Sequence, residues 1–279
     1  MKNIMKKVIL IILSLAVLAV AISIVKSYDD KAKKEDYKSE IVSEENGDAL
    51  QIENVKITNL TERSGTDLSA VTDIKNISDL NLSQINIYYN ELDKKDNEVS
   101  GSKIVVDMTL NPKDTMEIQF LPKDYTNTID IKGYTYIVED CEVYVDLTNN
   151  NIAIRENEKY LENSKNYEVL SINKVARSKT YNNEDTSYSI NIKNISKKNL
   201  GNIVLKVGEI NKENKFVRID HVTYNSLLKP NDNGEITLSL SNPQYDVKIL
   251  GYTYDDMESK SNVDIDLTTH KVNIINNKQ

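Results

Sequence analysis

Tryptophan is absent, and cysteine occurs once, as Cys141. A lone thiol forms neither an internal disulfide nor a cysteine zinc site. Cys141 shares strand parity with Val143 and Val145, so it reads as a small core residue. Histidine is limited to His221 and His270. Neither has partners at a spacing that builds a metal site. Both read as solvated, His221 in a loop-like stretch before Tyr224 and His270 in the closing hairpin turn. Glycine (8) and proline (4) are scarce. Asparagine, which tolerates positive φ, takes over turns that glycine would otherwise serve. A basic surface is missing too: net charge is −8 and the pI is near 5.0, which argues against nucleic acid as a partner. None of G-x-S-x-G, S-x-x-K, H-E-x-x-H or the phosphate-binding loop occurs. The sequence therefore points away from an enzyme, and no cofactor is expected.

Long apolar runs are also missing, with one exception. Residues 8–25, VILIILSLAVLAVAISIV, are eighteen residues without a charge, preceded by Lys2, Lys6 and Lys7. As a helix this run is about 27 Å long, against a bilayer core of about 30 Å. The expectation is a transmembrane signal-anchor over 8–25 with a cytoplasmic tail at 1–7. The alternative is a signal peptide cleaved after Ala21, since Ala19-Val20-Ala21 fits a small-x-small site. Five lysines follow the run against three before it, so the charge count does not favour an inside N-terminus. The basic segment leading into an apolar run is nevertheless the layout of an export signal. This gives a single-pass cell-membrane protein with its C-terminal domains extracytoplasmic. Residues 26–50 are charged, lack a core of their own, and read as a stalk.

The rest of the chain repeats itself. Ile74-Lys75-Asn76-Ile77-Ser78 recurs 118 residues later as Ile192-Lys193-Asn194-Ile195-Ser196. Gly133-Tyr134-Thr135-Tyr136 recurs at the same offset as Gly251-Tyr252-Thr253-Tyr254, as does Pro112 at Pro230. A period this long is the size of a self-sufficient domain rather than of a solenoid unit. Each copy alternates with period two. Tyr188, Ile190 and Ile192 face one way and Ser187, Ser189 and Asn191 the other. Ile85, Ile87 and Tyr89 match Ile203, Leu205 and Val207, and Val143, Val145 and Leu147 lead into a closing hairpin. About seven short strands per copy predict a two-sheet sandwich. The expected fold is all-β: two tandem Ig-like β-sandwich domains, 51–155 and 168–275, joined by a linker at 156–167 and ending in a tail at 276–279.

The order of the N-I-S turn, an apolar strand, Leu92-Asp93-Lys94-Lys95-Asp96-Asn97-Glu98-Val99 and Leu-x-Pro-x-Asp resembles the FxLYD-type Ig-like modules of Gram-positive surface proteins. At the naming motif the chain has Tyr89-Asn90-Glu91-Leu92-Asp93 and Val207-Gly208-Glu209-Ile210-Asn211. The aromatic and the aspartate survive in the first copy only. The resemblance implies an extracytoplasmic, non-catalytic module without a general ligand.

Two features remain as candidate sites. Tyr134, Tyr136, Tyr252 and Tyr254 form the candidate binding surface for a glycan or protein. Against this, a bulge at the preceding glycine would flip all four into the core, which is the favoured reading. Acidic pairs at Asp29-Asp30, Glu44-Glu45, Glu184-Asp185 and Asp255-Asp256 do not follow the EF-hand pattern, although sandwich loops can hold calcium through scattered oxygens. The expected function is a membrane-anchored structural or binding protein whose partner is a protein or the cell envelope. The alternative is an accessory subunit of a membrane transport or secretion complex.

Overall fold

The computed structural model describes residues 41–276 except 54, 60–67, 125–126, 140, 158–161 and 180–185. The expected tail and anchor, and residues 26–40 of the expected stalk, lie outside the described residues. None of the described helices is long and apolar enough to cross a membrane.

The fold is all-β. In chain order the strands are β1 (Leu50–Ile52), β2 (Lys56–Asn59), β3 (Leu68–Asn76), β4 (Ser83–Leu92), β5 (Glu98–Val106), β6 (Thr115–Phe120), β7 (Thr128–Val138), β8 (Cys141–Asp146) and β9 (Asn151–Glu156). There follow β10 (Glu162–Asn163), a 3₁₀ turn at Ser164–Asn166, β11 (Leu170–Lys179), β12 (Thr186–Asn194), β13 (Leu200–Ile210) and β14 (Phe216–Tyr224). The last four are β15 (Asn233–Ser239), β16 (Asp246–Asp256), β17 (Ser261–Asp266) and β18 (Lys271–Asn276).

Alternation builds the layers. In β4, Ile85 and Ile87 are buried while Asn86 and Tyr88 between them are not. In β8, Cys141, Val143 and Val145 are buried and their neighbours are not. The buried side chains gather into two cores. The first draws on β3, β4, β6, β7 and β8, and the second on β12, β13, β15, β16 and β17. The first core lies against a five-stranded sheet, β5-β4-β7-β8-β9, and the second against a three-stranded sheet, β11-β12-β15. A ten-stranded sheet runs past both, in the order β1-β3-β6-β14-β13-β16-β17-β18-β10, with β2 beside β3.

Strand registers recur with the sequence offset. Ile85 faces Val106 as Ile203 faces Tyr224, and Ile74 faces Met116 as Ile192 faces Gly234. The isolated bridge Leu82 to Leu110 matches Leu200 to Leu228.

Several expectations need correction. The stalk does not extend to residue 50: Val42, Ala49 and Leu50 are buried in the first core. Its charges, Glu44 and Glu45, sit on an exposed turn that separates the apolar contacts. The linker also carries structure near its end, because β10 pairs with β18 and Ser164 is buried. His221 lies in strand β14 rather than in a loop. Both β5 and its counterpart β14 are strands that the alternation did not reveal. The two cores, finally, are not independent in their contacts, since Phe216 and Leu250 pack into the first.

Candidate functional site

Strand β7 does not keep one register against β4. Tyr88 faces Gly133, but Tyr89 faces Ile131, so Lys132 is bulged out. In the second half Leu250 is bulged in the same way, between Lys206 facing Gly251 and Val207 facing Ile249. The bulge carbonyls are not wasted: Leu147 N–H donates to Lys132 O and Leu267 N–H to Leu250 O, each at 3.0 Å. Past the bulge the parity reverses, and Tyr134, Tyr136, Tyr252 and Tyr254 are all buried.

This corrects the candidate binding surface. The four rings are core, and their hydroxyls tie down the start of each half. Tyr134 donates to Asp48 Oδ1 at 2.5 Å and accepts from Leu50 N–H at 3.1 Å, while Tyr136 donates to Gly47 O at 2.8 Å. In the second half Tyr252 accepts from Val169 N–H at 3.0 Å and Tyr254 donates to Tyr167 O at 3.2 Å. Burial pushes the Tyr252 phenol up to about 12 and the other three higher still, so all four stay neutral.

Among the described residues a different pair of rings lies on an outer sheet face. Tyr88 and Tyr144, both half-buried, meet edge to face with centroids 6.4 Å apart on the outer face of the five-stranded sheet. Tyr88 lies opposite Gly133, and Tyr144 opposite the neighbouring Thr135. Beside them Asn86 donates to Thr135 Oγ1 at 3.1 Å and accepts from Lys103 at 3.4 Å. In the second half the equivalent positions carry Lys206 and Asp264, an ion pair at 3.2 Å.

That ion pair belongs to the second site, a cleft of about 340 Å³ where the two halves meet. Asp107, in the turn after β5, accepts from Lys206 at 3.1 Å and contacts His221 Nε2 at 2.8 Å. Thr109 Oγ1 donates to Asp266 at 2.5 Å. Burial opposes ionisation of both Asp107 and Lys206, but each is the other's counter-charge. The Asp107 carboxyl is held below its ordinary value, and the Lys206 amine above its own. At the far side of the joint Lys215 reaches Asp73 at 3.0 Å and Glu117 at 3.1 Å. The cleft lining mixes amides, hydroxyls and charges of both signs with apolar side chains such as Val105, Met108 and Leu250, and has no histidine, cysteine or aromatic ring. Such a set can orient a polar ligand. Among the described residues no group of three His, Cys, Asp or Glu side chains is placed to hold a metal ion. Of the acidic pairs, Asp255 accepts from Asn202 and Asn262, and Asp256 from Lys198 and local backbone amides. Cys141 is fully buried.

Sequence reasoning missed the cleft because its walls come from β5, β13 and β17, distant in the chain. Tyr144 could have been found, since it alternates with Val143 and Val145. No family model matches the chain, and no curated protein matches it. Among solved structures it is similar to red sea bream transglutaminase, with TM-score 0.23 and 12% identity over 83% of this chain and 32% of that one. It is also similar to an exo-chitosanase of Amycolatopsis orientalis, with TM-score 0.21 and 10% identity over 80% of this chain and 26% of that one.

Proposed function

We propose that this chain is a membrane-anchored extracytoplasmic structural or binding protein that presents two tandem Ig-like modules of FxLYD type to a protein or cell-envelope partner. The observation that carries this reading is the duplicated all-β body behind a single uncharged run at 8–25. The chemistry on offer also supports it. The cleft between the halves holds ion pairs and amides, and the half-exposed rings of Tyr88 and Tyr144 supply amphipathic contact area.

Two measurements test this. On intact cells the full chain should be labelled by a membrane-impermeant amine reagent at Lys94 and Lys95, in the exposed turn after β4, and should sediment with membranes. Labelling only after lysis sinks the extracytoplasmic reading. The accessory-subunit alternative is favoured instead if an unrelated anchor in place of 8–25 abolishes activity while surface labelling persists.

A further inference from the structure

The two halves meet through the edges of β6 and β14, which pair in parallel at Phe216 and Met116. Because the halves share one strand plan, each of these edges exists twice. The counterpart of β14 is β5, and the counterpart of β6 is β15. Both counterparts are edge strands of their own sheets. A head-to-tail contact of this kind is not used up by one pairing, so the same contact used again would add further copies in a ring or an open array.

The free edges do not carry the contact residues. Phe216 is buried over Gly208, where an added Cβ would stand 2.8 Å from the ring. At the equivalent places the first half has Glu98 and Asn90, and Asn90 donates to the Glu98 carboxylate at 2.8 Å. The bulged Leu250, buried beside Phe216, is replaced by Lys132, which pairs with Asp130. Lys215, the cation of the joint, is replaced by Asn97, whose amide turns back onto Asp93 at 3.0 Å. On the other edge Met116 is replaced by Gly234, and the Tyr224 ring fills the space a Cβ would need. Asp73 is replaced by Asn191, and Asp107 by Asn225.

We propose that the docking surface is built into one pair of edges only: the two halves of the chain are each other's partner, and the polar and glycine replacements on β5 and β15 keep a second copy of the chain from extending the array. A hydrophobic knob, its glycine seat, a bulge residue and a cation are all changed together on the free side. That places the specificity in those positions rather than in the shared strand backbone.

The test transplants the free-edge residues into the joint. Full chain carrying Gly208→Asn, Lys215→Asn and Phe216→Glu has, in its second half, side chains with which the first half already folds at the same positions. Amide exchange over Thr115–Phe120 is expected to speed by about tenfold or more, while β16 and β17 keep their protection as the folding control. Unchanged exchange in β6 would overturn the proposal. In detergent micelles the wild-type full chain is expected to sediment as a single copy at all concentrations. Association of the wild type that Glu98→Lys abolishes would overturn it equally, and it does not depend on the transplant folding.

Discussion

Asn76 and Asn194 are fully buried amides with every bond placed. Asn76 donates to Leu80 O at 2.7 Å and Leu110 O at 3.0 Å, and accepts from Ser78 N–H at 2.9 Å and Ser78 Oγ at 2.7 Å. Asn194 repeats this with Lys198, Leu228 and Ser196. Asparagine alone offers two donors and an acceptor in this plane, so the Asn-Ile-Ser triplets are structural pins rather than glycan acceptors. Removing the amide leaves buried carbonyls without donors, at about 1–3 kcal/mol each. Asn76→Ala and Asn194→Ala should each cost about 3 kcal/mol in urea unfolding, and Asn76→Asp no less, since it turns a carboxylate toward two carbonyls. The triplet was the clearest repeat in the sequence, yet its purpose was not legible there. Leu110 and Leu228, which the amides reach, lie 34 residues away along the chain. Asp256 offers a second test. Burial would raise its pKa, but hydrogen bonds from Lys198, Ser259 and Glu258 outweigh that and hold it at about 2. A depressed folded value means stability present above the unfolded 3.8 and lost as pH falls toward 2. Asp256→Asn should lower stability by about 2 kcal/mol at neutral pH and remove that part of the acid limb.

At the scale of elements, the bulges before Gly133 and Gly251 decide which side of β7 and β16 is core. A Cβ on Gly133 would stand 2.3 Å from the Val145 carbonyl oxygen, and one on Gly251 would stand 2.3 Å from that of Ile265. Backbone cannot yield as a flexible side chain can. Gly133→Ala should therefore cost about 3 kcal/mol. Gly101→Ala meets closely the Asn90 side-chain tip at 3.0 Å, with Glu98 Oε1 and Tyr89 O at ordinary contact distance, and should stay within about 0.5 kcal/mol. Similar thermal shifts for the two would refute this account. The inner strands were legible because one face of each is buried, which imposes the period-two pattern on β4, β8 and β12. Strand β5 is exposed or half-exposed along nearly its whole length. An edge strand with solvent on most sides has no reason to alternate, so Glu98–Val106 read as a connection. Its counterpart β14 is flanked on both sides, by β13 and β6, but holds one fully buried residue, Phe216, and shows no clean alternation, so it was missed too, and with it the joint and the cleft. The tyrosines were legible only as a choice between two parities, which the bulge resolves.

At the scale of the whole molecule, the halves are coupled by few apolar contacts and several charges. Phe216 and Leu250, with the half-buried Ile210 and Ile219, supply the apolar part, and fully burying a side chain of that size is worth about 2–3 kcal/mol. Around them lie Asp107 with Lys206 and His221, and Lys215 with Asp73 and Glu117. The partly exposed ion pairs add modestly and weaken with salt. Their pH dependence has a definite sign. Asp107 is depressed in the closed joint, so its contribution is full above the free value of 3.8 and fades as pH falls through the lower bound value. Lys206 and Lys215 are raised, so theirs is full below 10.5 and fades as pH rises past it. Between these limits Asp107, Lys206 and Lys215 keep their charges. Below about pH 4 the ionic part of the joint should weaken while its apolar contacts and both cores persist. The scattering radius of the full chain in micelles should then increase before the tyrosine near-ultraviolet dichroism of the cores is lost. Asp107→Asn should bring the larger radius up to neutral pH and flatten its dependence on acid. If the radius of that variant still changed with acid as the wild type does, Asp107 would not be the group that closes the halves.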